Sequence, residues 1–303
     1  LTTTAGKGVI DDNHPLTISG GTVRAEARNY LSKADLIIAI GTELAETDNY
    51  VGRYQINGKI IRLDIDEKKI NDHYPATVGL VGDAKETVKK LNKKFNGLVK
   101  QRQREEAEIE VAKITKSIEH SLTQTETRHK KFLKVLREIA PPETIFSTDA
   151  CQLSYTGVFG FHVPKARKWL HPVGFCALGN ALPNAIGAKV ALPQIPVTVL
   201  VGDGGFMFSM PEILSAREQN LSIPIIIWEN GGYKQIQDDM KAVGVDRVGV
   251  DGMNPDFIKL AGSCYCDAVY ANSQDVFTHS FKKALVAKRP TIILIKEEDD
   301  WLN

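Results

Sequence analysis

The sequence lacks most of the features that would place it in a specialised class of protein. Its 38 basic and 37 acidic residues give a formal net charge of +1, so no overall field favours nucleic acid or an anionic membrane surface. No apolar run approaches the ~18 residues that a membrane-spanning helix needs. The four cysteines form no C-x-x-C pair and show no zinc-finger spacing. This usage favours reduced, buried thiols and a cytoplasmic protein.

The sequence does contain two regions in which apolar, strand-like runs alternate with helical stretches. With 303 residues, 43% of them hydrophobic, the chain is long enough for two domains with separate cores. The predicted strands of the first region are Asp35–Ile40, Lys59–Asp64 and Val78–Val81. Those of the second region are Thr144–Ser147, Val197–Val201, Ile225–Ile227 and Thr291–Ile295. The alternation predicts an α/β fold with two doubly wound parallel-sheet domains, and we expect the first strand to be buried.

A change in composition separates the two regions. Residues 96–129 are rich in Gln, Arg, Glu and Lys and poor in large apolar side chains, which predicts a charged helical linker. We therefore expect a Rossmann-like domain over residues 1–95 and a second domain over residues 130–303. Within the second domain, Asn254-Pro255 has the pattern of a helix cap.

The most informative segments are two polar turns that each follow an apolar run. The first is Gly202-Asp203-Gly204-Gly205, and the second is Glu229-Asn230-Gly231-Gly232-Tyr233. Neighbouring parallel strands lie about 4.8 Å apart, so side chains at their ends can reach one ion. One carboxylate, one amide oxygen and a backbone carbonyl suit Mg²⁺, which completes its octahedron with phosphate oxygens and water. The turns therefore predict a magnesium ion that binds a diphosphate, with Asp203 and Asn230 as ligands.

The segment between the turns is interpreted as a crossover helix. Ser209-Met210-Pro211-Glu212 has the pattern of a capping box with a proline in the first turn, and Ile213–Gln219 continues as helix. The alternative to a magnesium site at the first polar turn is a plain Rossmann-type turn whose aspartate caps a helix.

In the first region Asp64 and Asp66 follow a strand, as ribose-binding acids do, but no G-x-G-x-x-G precedes them. We therefore interpret those two acids as part of a solvated loop.

These residues resemble the diphosphate and magnesium motif of thiamine diphosphate-dependent enzymes, in particular the acetolactate synthase and 2-oxoacid decarboxylase branch. Gly174–Pro183, GFCALGNALP, is similar to the segment that holds the aminopyrimidine ring in that family. Thr2–Gly8 and Asp12–Leu16 resemble its middle domain from the second strand onward. The resemblance implies thiamine diphosphate and Mg²⁺ as cofactors and a 2-oxo acid as substrate. The implied reaction is decarboxylation, after which the enamine is protonated or transferred to a second carbonyl.

The resemblance also implies roles for individual residues. The implied Mg²⁺ ligands are Asp203, Asn230 and the main-chain carbonyl of Gly232. The implied cofactor contacts are Gln152, Cys176, Leu178, Gly202, Gly204, Gly205, Gly231 and Tyr233. In this comparison the Leu178 side chain would support the bent cofactor, and the Cys176 carbonyl would bind its amino group. Considered without the resemblance, Leu178 would be a core residue and Gln152 an exposed turn residue.

Several positions depart from the family pattern. Glu229 replaces the first asparagine of the usual pair, so its side chain is expected to point into hydrogen bonds around the site. Lys234 occupies a position that is often glycine and could supply a cation for phosphate. Leu153 replaces a histidine of acetolactate synthases.

His162 and His171 are interpreted as residues of a surface loop, with a substrate pocket as the alternative.

The resemblance finally implies partners. Family members take their activating glutamate from an N-terminal pyrimidine-binding domain, and no segment of this sequence corresponds to it. We therefore expect no catalytic residue within this chain, a homo-oligomer, and a pyrimidine-binding domain from a missing N-terminal part or a partner chain. The fragment alone would then be inactive. The alternatives are a catalytically silent subunit with a regulatory or scaffolding role and, less favoured, a nicotinamide-dependent dehydrogenase, which lacks its glycine fingerprint.

Overall fold

The computed structural model describes residues 1–98 and 104–303. The chain divides into two compact units, Leu1–Ser121 and Leu122–Asn303. The boundary falls inside the predicted linker, of which residues 99–103 lie outside the described residues, while the described part is largely helical. The elements of the first unit are α1 (Ala25–Leu31), β1 (Leu36–Ile40), α2 (Glu46–Asn49), β2 (Lys59–Asp64), β3 (Val78–Val81), α3 (Ala84–Phe95) and α4 (Arg104–His120).

The first unit is built on a three-stranded parallel sheet in the order β1-β2-β3. The prediction that its first strand is buried is wrong, because Leu36, Ile38 and Ile40 are 46%, 48% and 45% exposed. Side chains alternate between the two faces of a strand, and the opposite face carries the buried Ala39, which packs with Ile60. β1 lies at the edge of the sheet, and the described residues cover only the face that carries Ala39.

The second unit contains a six-stranded parallel sheet in the order β5-β4-β6-β7-β9-β8. Its elements are α5 (Gln124–Ile139), β4 (Ile145–Thr148), α6 (Gln152–Gly160), β5 (Trp169–Leu170), α7 (Ala181–Ala191), β6 (Val197–Gly202), α8 (Asp203–Ser209), α9 (Glu212–Glu218), β7 (Pro224–Glu229), α10 (Lys234–Ala242), α11 (Phe257–Ser263), β8 (Asp267–Tyr270), α12 (Gln274–Ala284) and β9 (Thr291–Lys296). The two all-parallel sheets confirm the predicted α/β class.

Both faces of the second sheet are covered by helices. Val199 and Ile225 point to one face, where they pack with residues of α7, α9 and α11. Leu200 and Ile226 point to the other, where they pack with residues of α5, α6 and α12. This double cover explains why β6, β7 and β9 are nearly continuous runs of Val, Ile and Leu rather than alternating sequences. The arrangement is the predicted doubly wound sheet.

The predicted capping box between the two polar turns is not formed. The chain enters a helix directly at Asp203, so Ser209 is the last residue of α8 rather than the cap of the next helix. α9 begins at Glu212 after Pro211, whose position carries no side-chain cap bond. The predicted helix at Ile213–Gln219 is present as α9, but the crossover contains two short helices instead of one.

Within the described parts of the chain, no helix combines the length and apolar character needed to span a bilayer.

Candidate functional site

Three buried strands bring polar residues to one edge of the second sheet. Asp149 follows β4, Asp203 follows β6 and Asn230 follows β7. The strands are parallel and in register, with Gly202 opposite Trp228 across the β6–β7 pair, so their carboxyl ends meet at the same edge. The structure therefore brings the two polar turns together, as the sequence predicts.

The Asp203 side chain is fully buried and holds both turns by hydrogen bonds. Its Oδ1 accepts from the N–H of Gly204 at 2.9 Å. Its Oδ2 accepts from the N–H groups of Gly231 and Gly232, each at 2.9 Å, and from Asn254 Nδ2 at 2.7 Å. No ion pair involving Asp203 is formed within residues 1–98 and 104–303. The turn after β7 is thus fixed to a buried carboxylate that pairs with no cationic side chain of the described residues.

The amide of Asn230 is oriented by two acceptors. Its Nδ2 donates to Glu297 Oε2 at 3.1 Å and to Gln152 Oε1 at 3.4 Å. Gln152, at the first position of α6, donates in turn through Nε2 to Asp238 Oδ2 at 2.9 Å. Because both hydrogens of the Asn230 amide are directed at acceptors, its Oδ1 is the atom left for another ligand.

The glycines of the first turn are enclosed by neighbouring side chains. A Cβ on Gly204 would lie 2.9 Å from Cε1 of Tyr233, and a Cβ on Gly205 would lie 3.3 Å from Cγ of Asp149. Gly202 is the last residue of β6 and is also buried. Close packing inside the chain therefore requires glycine at the Gly204 position, whatever ligand its N–H meets.

The glycines of the second turn are required by the backbone itself. Gly231 and Gly232 have φ angles of +88° and +99°, which L side chains rarely adopt. A Cβ on Gly232 would also lie 2.9 Å from the Val250 carbonyl oxygen. These two residues let the chain turn sharply after Asn230 and return its N–H groups to Asp203.

Asp149 ties the strand ends to the loop that carries Leu178. Its Oδ2 accepts from the N–H of Gly179 at 2.8 Å, next to Leu178, and Oδ1 accepts from the N–H of Ala150 at 2.8 Å. Burial raises the pKa of Asp149, and these backbone hydrogen bonds act against that increase. The sequence analysis missed Asp149, because only the fold brings it beside a loop 30 residues away.

The loop before Leu178 combines a strained residue with an exposed ring. Cys176 has φ +55°, unusual for a residue with a side chain, and its N–H donates to the Pro172 carbonyl at 3.0 Å. Phe175 is 89% exposed, whereas Leu178 is partly buried. Leu178 and Cys176 thus lie on a loop anchored to the sheet edge through Asp149.

Two domains of known enzymes match this chain in sequence. Residues 149–295 match the C-terminal TPP-binding domain of thiamine pyrophosphate enzymes, and residues 1–91 match their central domain. The chain belongs to the thiamine pyrophosphate enzyme family. The matched C-terminal domain contains Asp149, Asp203 and Asn230, and the family as a whole accounts for most of the described chain.

Relatives of this chain include a probable decarboxylase and a probable synthase. It is 37% identical over 267 residues to a probable 2-ketoarginine decarboxylase of Pseudomonas aeruginosa, covering 88% of this chain and 47% of that protein. It is 30% identical over 314 residues to a probable acetolactate synthase large subunit of Methanococcus aeolicus, covering 96% of this chain and 52% of that protein. The chain therefore spans about half the length of these relatives.

Glu229 and Lys234, the two charged residues at which the sequence analysis expects a departure from the family pattern, contact other side chains. Glu229 Oε1 accepts from Asn254 Nδ2 at 3.3 Å, and Glu229 Oε2 lies 3.9 Å from Lys296 Nζ. Lys234 Nζ lies 2.9 Å from Asp238 Oδ1, one helical turn further along α10. Each of the two charges thus has a partner of opposite sign within the chain.

Asn254 is a site residue that the sequence analysis misinterpreted. The prediction that Asn254-Pro255 caps a helix is wrong, since α11 begins at Phe257 and is capped by the Asp256 side chain. The Asn254 amide instead donates to Asp203 at 2.7 Å and to Glu229 at 3.3 Å. It separates two carboxylates that would otherwise repel each other.

Glu297 is a second residue that the sequence analysis missed. It follows β9 and is 5% exposed. Burial acts to raise its pKa, but hydrogen bonds from His129, Trp228 and Asn230 outweigh that effect and lower the pKa to about 2. The chain therefore places an ionised carboxylate directly behind Asn230.

The two histidines assigned to a surface loop have different environments. His162 is exposed, as predicted. His171 is partly buried, with Nδ1 2.8 Å from Thr148 Oγ1 at the end of β4 and its ring against Tyr155. Burial lowers the pKa of His171 to about 4, so the ring is neutral at physiological pH. The surface-loop interpretation is therefore wrong for His171, which packs at the carboxyl edge of the sheet.

The donors at this edge fit a divalent cation that carries a diphosphate. Asp203 Oδ1 accepts a single N–H and keeps lone pairs for a cation, and the Asn230 amide oxygen is left for a ligand at the end of the neighbouring strand. No group of three or more His, Cys, Asp or Glu side chains is placed to hold a metal in the described residues. A cation here would accordingly depend on phosphate oxygens and water for most of its ligands, as Mg²⁺ does.

Proposed function

We propose that this chain supplies the Mg²⁺- and diphosphate-binding part of an enzyme that decarboxylates a 2-oxo acid and then protonates the product or joins it to a second carbonyl. The observation that carries the proposal is the buried Asp203 carboxylate, which forms no ion pair among the described residues and lies at one sheet edge with Asn230. A buried carboxylate is costly to desolvate even when it accepts hydrogen bonds, and a bound cation would offset that cost.

The residues of this chain would bind and orient the cofactor. Asp203, Asn230 and the Gly232 carbonyl would hold Mg²⁺. The N–H group of Gly205 would face the diphosphate, because that of Gly204 donates to Asp203 Oδ1. When bound, thiamine diphosphate would supply the chemistry for decarboxylation of a 2-oxo acid, while these residues hold it in place.

The loop that contains Leu178 would orient the other end of the cofactor. Asp149 fixes this loop through Gly179, and Leu178 would support the rings. The neutral His171 packs at the same edge of the sheet, where it adds no positive charge. These contacts would orient one side of the cofactor and help to hold its conformation.

The activating glutamate would come from a pyrimidine-binding domain outside this chain. The relatives are about twice as long as this chain, and the matching family models describe the central and C-terminal domains. Phe175, 89% exposed beside Cys176, would offer an apolar contact to such a domain. The four free cysteines support the proposed cytoplasmic, reduced setting. We also propose that the enzyme is a homo-oligomer.

The experiment that tests this function is calorimetry of thiamine diphosphate binding to the 303-residue chain with and without Mg²⁺. We expect Mg²⁺-dependent binding that is lost in Asp203→Asn and kept in the control Asp66→Asn. Absence of binding by the wild-type chain contradicts the proposal. Turnover of a 2-oxo acid by the isolated chain would contradict the expected need for a separate pyrimidine-binding domain.

A catalytically silent subunit is the second candidate, and the contacts of Glu229 favour it. This carboxylate shares the Asn254 amide with Asp203, which adds negative charge close to the site that must accept a diphosphate. A silent subunit need not bind thiamine diphosphate, so Mg²⁺-dependent binding would favour the leading proposal. A silent subunit would give no turnover when a pyrimidine-binding domain is added, whereas the leading proposal expects both binding and turnover.

A further inference from the structure

We infer that Glu297 is a positioning residue that fixes the Asn230 amide with its oxygen, rather than its nitrogen, directed at the metal. The inference rests on the proposed function, because it assigns Asn230 to the Mg²⁺ site. Glu297 lies behind Asn230 and outside the family's diphosphate motif, and it would not itself touch the cation.

Three donors converge on one oxygen of Glu297. Oε2 accepts from Trp228 Nε1 at 2.7 Å, from Asn230 Nδ2 at 3.1 Å and from His129 Nε2 at 3.4 Å. The Glu297 backbone is also fixed, because its N–H donates to the Glu229 carbonyl at 3.0 Å. A buried carboxylate with three donors on one oxygen and a fixed backbone has little freedom to move away from Asn230.

The chemistry of this contact determines the orientation of the amide. An asparagine side chain has an oxygen that accepts and a nitrogen that donates, and rotation by a half turn exchanges them. The indole N–H of Trp228 can only donate, so Glu297 Oε2 is an acceptor, and the group of Asn230 that faces this oxygen must be the NH₂. The oxygen is consequently directed away from Glu297.

Gln152 is oriented in the same way and strengthens the effect. Its Nε2 donates to the Asp238 carboxylate at 2.9 Å, which leaves Oε1 to face Asn230 Nδ2 at 3.4 Å. Two carboxylates, Glu297 and Asp238, therefore determine the orientation of two amides. Metal sites commonly need such supporting hydrogen bonds, and their loss typically weakens metal binding.

A charge swap separates this role from a purely structural one. In Glu297→Gln the residue at 297 gains an NH₂ group that can face Asn230, so the Asn230 amide can turn its nitrogen toward the metal. In the double variant Glu297→Gln/Asn230→Asp the new carboxylate accepts from the glutamine and offers a second oxygen to the metal. A structural role of Glu297 toward Trp228 and His129 predicts that Asn230→Asp changes Mg²⁺ affinity by the same factor in the wild-type and Glu297→Gln backgrounds, whereas the positioning role predicts a larger gain in Glu297→Gln.

The experiment measures Mg²⁺ affinity in the presence of thiamine diphosphate by calorimetry. We expect Glu297→Gln to weaken Mg²⁺ binding about ten- to hundredfold, the usual effect of losing a group that orients a metal ligand. The double variant should return to within about threefold of wild type, and the exposed control Glu298→Gln should bind as wild type does. The indole N–H resonance of Trp228 should shift in Glu297→Gln, and circular dichroism should show that the variants fold.

Two results would overturn the inference. Wild-type affinity in Glu297→Gln, or a double variant no better than Glu297→Gln, would exclude the positioning role while leaving the proposed function intact. Failure of the wild-type chain to bind Mg²⁺ and thiamine diphosphate would overturn the proposed function together with it. The two failures are thus distinguished by the wild-type measurement alone.

Discussion

The two sheets of this chain carry acidic residues at the same topological place, but they bury them differently. In the first unit Glu43, Asp64, Asp66 and Asp83 line a cavity of about 430 Å³ at the carboxyl ends of the strands. Asp66 and Asp83 are exposed and accept hydrogen bonds from the first turns of helical segments. The solvated-loop interpretation suits these acids.

In the second unit the corresponding acids are enclosed. Asp149 and Asp203 are fully buried, and each accepts backbone N–H groups from a loop distant in sequence. The strands beneath them are buried on both faces, whereas β1 of the first unit is half exposed. Position at a strand end is therefore insufficient for an ion site, and burial of the supporting strands distinguishes the two edges.

The largest expected effect contrasts the strands of the two sheets. Ile226→Ala in β7 should destabilise the second unit by about 2–5 kcal/mol, because it leaves a cavity in a core covered on both sides. Ile38→Ala in β1 should cost about 0.5 kcal/mol, since that side chain is half exposed. All three tryptophans lie in the second unit, so urea unfolding followed by tryptophan fluorescence reports Ile226→Ala. Hydrogen exchange measures the loss of stability in Ile38→Ala. Equal losses of unfolding free energy in the two variants would contradict the difference expected between the two sheets.

The second effect contrasts the acids. Asp203→Ala removes the acceptor of four hydrogen bonds, three of them from backbone N–H groups, and should cost about 3 kcal/mol. Asp66→Ala removes one helix-capping contact and should cost about 1 kcal/mol. Denaturant melts of both variants check the difference. A smaller loss for Asp203→Ala would mean that Asp203 does not hold the two turns together.

The third effect is a pH dependence that belongs to the second unit. Burial lowers the pKa of His171 from 6.5 to about 4, so between these values the unfolded chain binds more protons than the folded one. Stability should therefore fall as pH drops from 7 to 5, by about 2 kcal/mol from this residue. His171→Asn should reduce that fall, measured by unfolding at each pH, while the exposed control His73→Asn should leave it unchanged. An unchanged pH profile in His171→Asn would contradict this assignment.

The smallest effect concerns Lys234. Its contact with Asp238 is a partly exposed pair one helical turn apart, so Lys234→Met should cost about 0.5 kcal/mol. Because this pair already uses the ammonium group, we expect thiamine diphosphate affinity to change by less than about threefold. Calorimetry in parallel with wild type checks this. A loss of tenfold or more would show that Lys234 serves the phosphate after all.

Sequence analysis could predict the features that depend on local pattern. The apolar runs of β6 and β7 and the glycine-rich turns after them correctly placed Asp203 and Asn230 at neighbouring strand ends. The same local reasoning failed at Ser209, where a capping pattern was overruled because the preceding helix begins at Asp203. It also failed for β1, since an apolar run does not reveal whether both faces of a sheet are covered.

The remaining site residues depend on contacts between distant positions. Asn254 has a helix-cap pattern beside a proline, yet its amide reaches a carboxylate 51 residues away. Glu297 is one acid in a charged C-terminal segment, and only the parallel pairing of β7 with β9 places it behind Asn230. No feature of the local sequence distinguishes these two residues from solvated ones.

The N–H groups of Gly231 and Gly232 both donate to the Asp203 carboxylate, so the turn after β7 is held by a residue of the same chain. The loss of backbone freedom in this turn therefore occurs when the protein folds, and little of it remains to oppose capture of a ligand. Preorganisation of this kind predicts that cation uptake needs no slow rearrangement of the turn, so its rate should rise linearly with cation concentration.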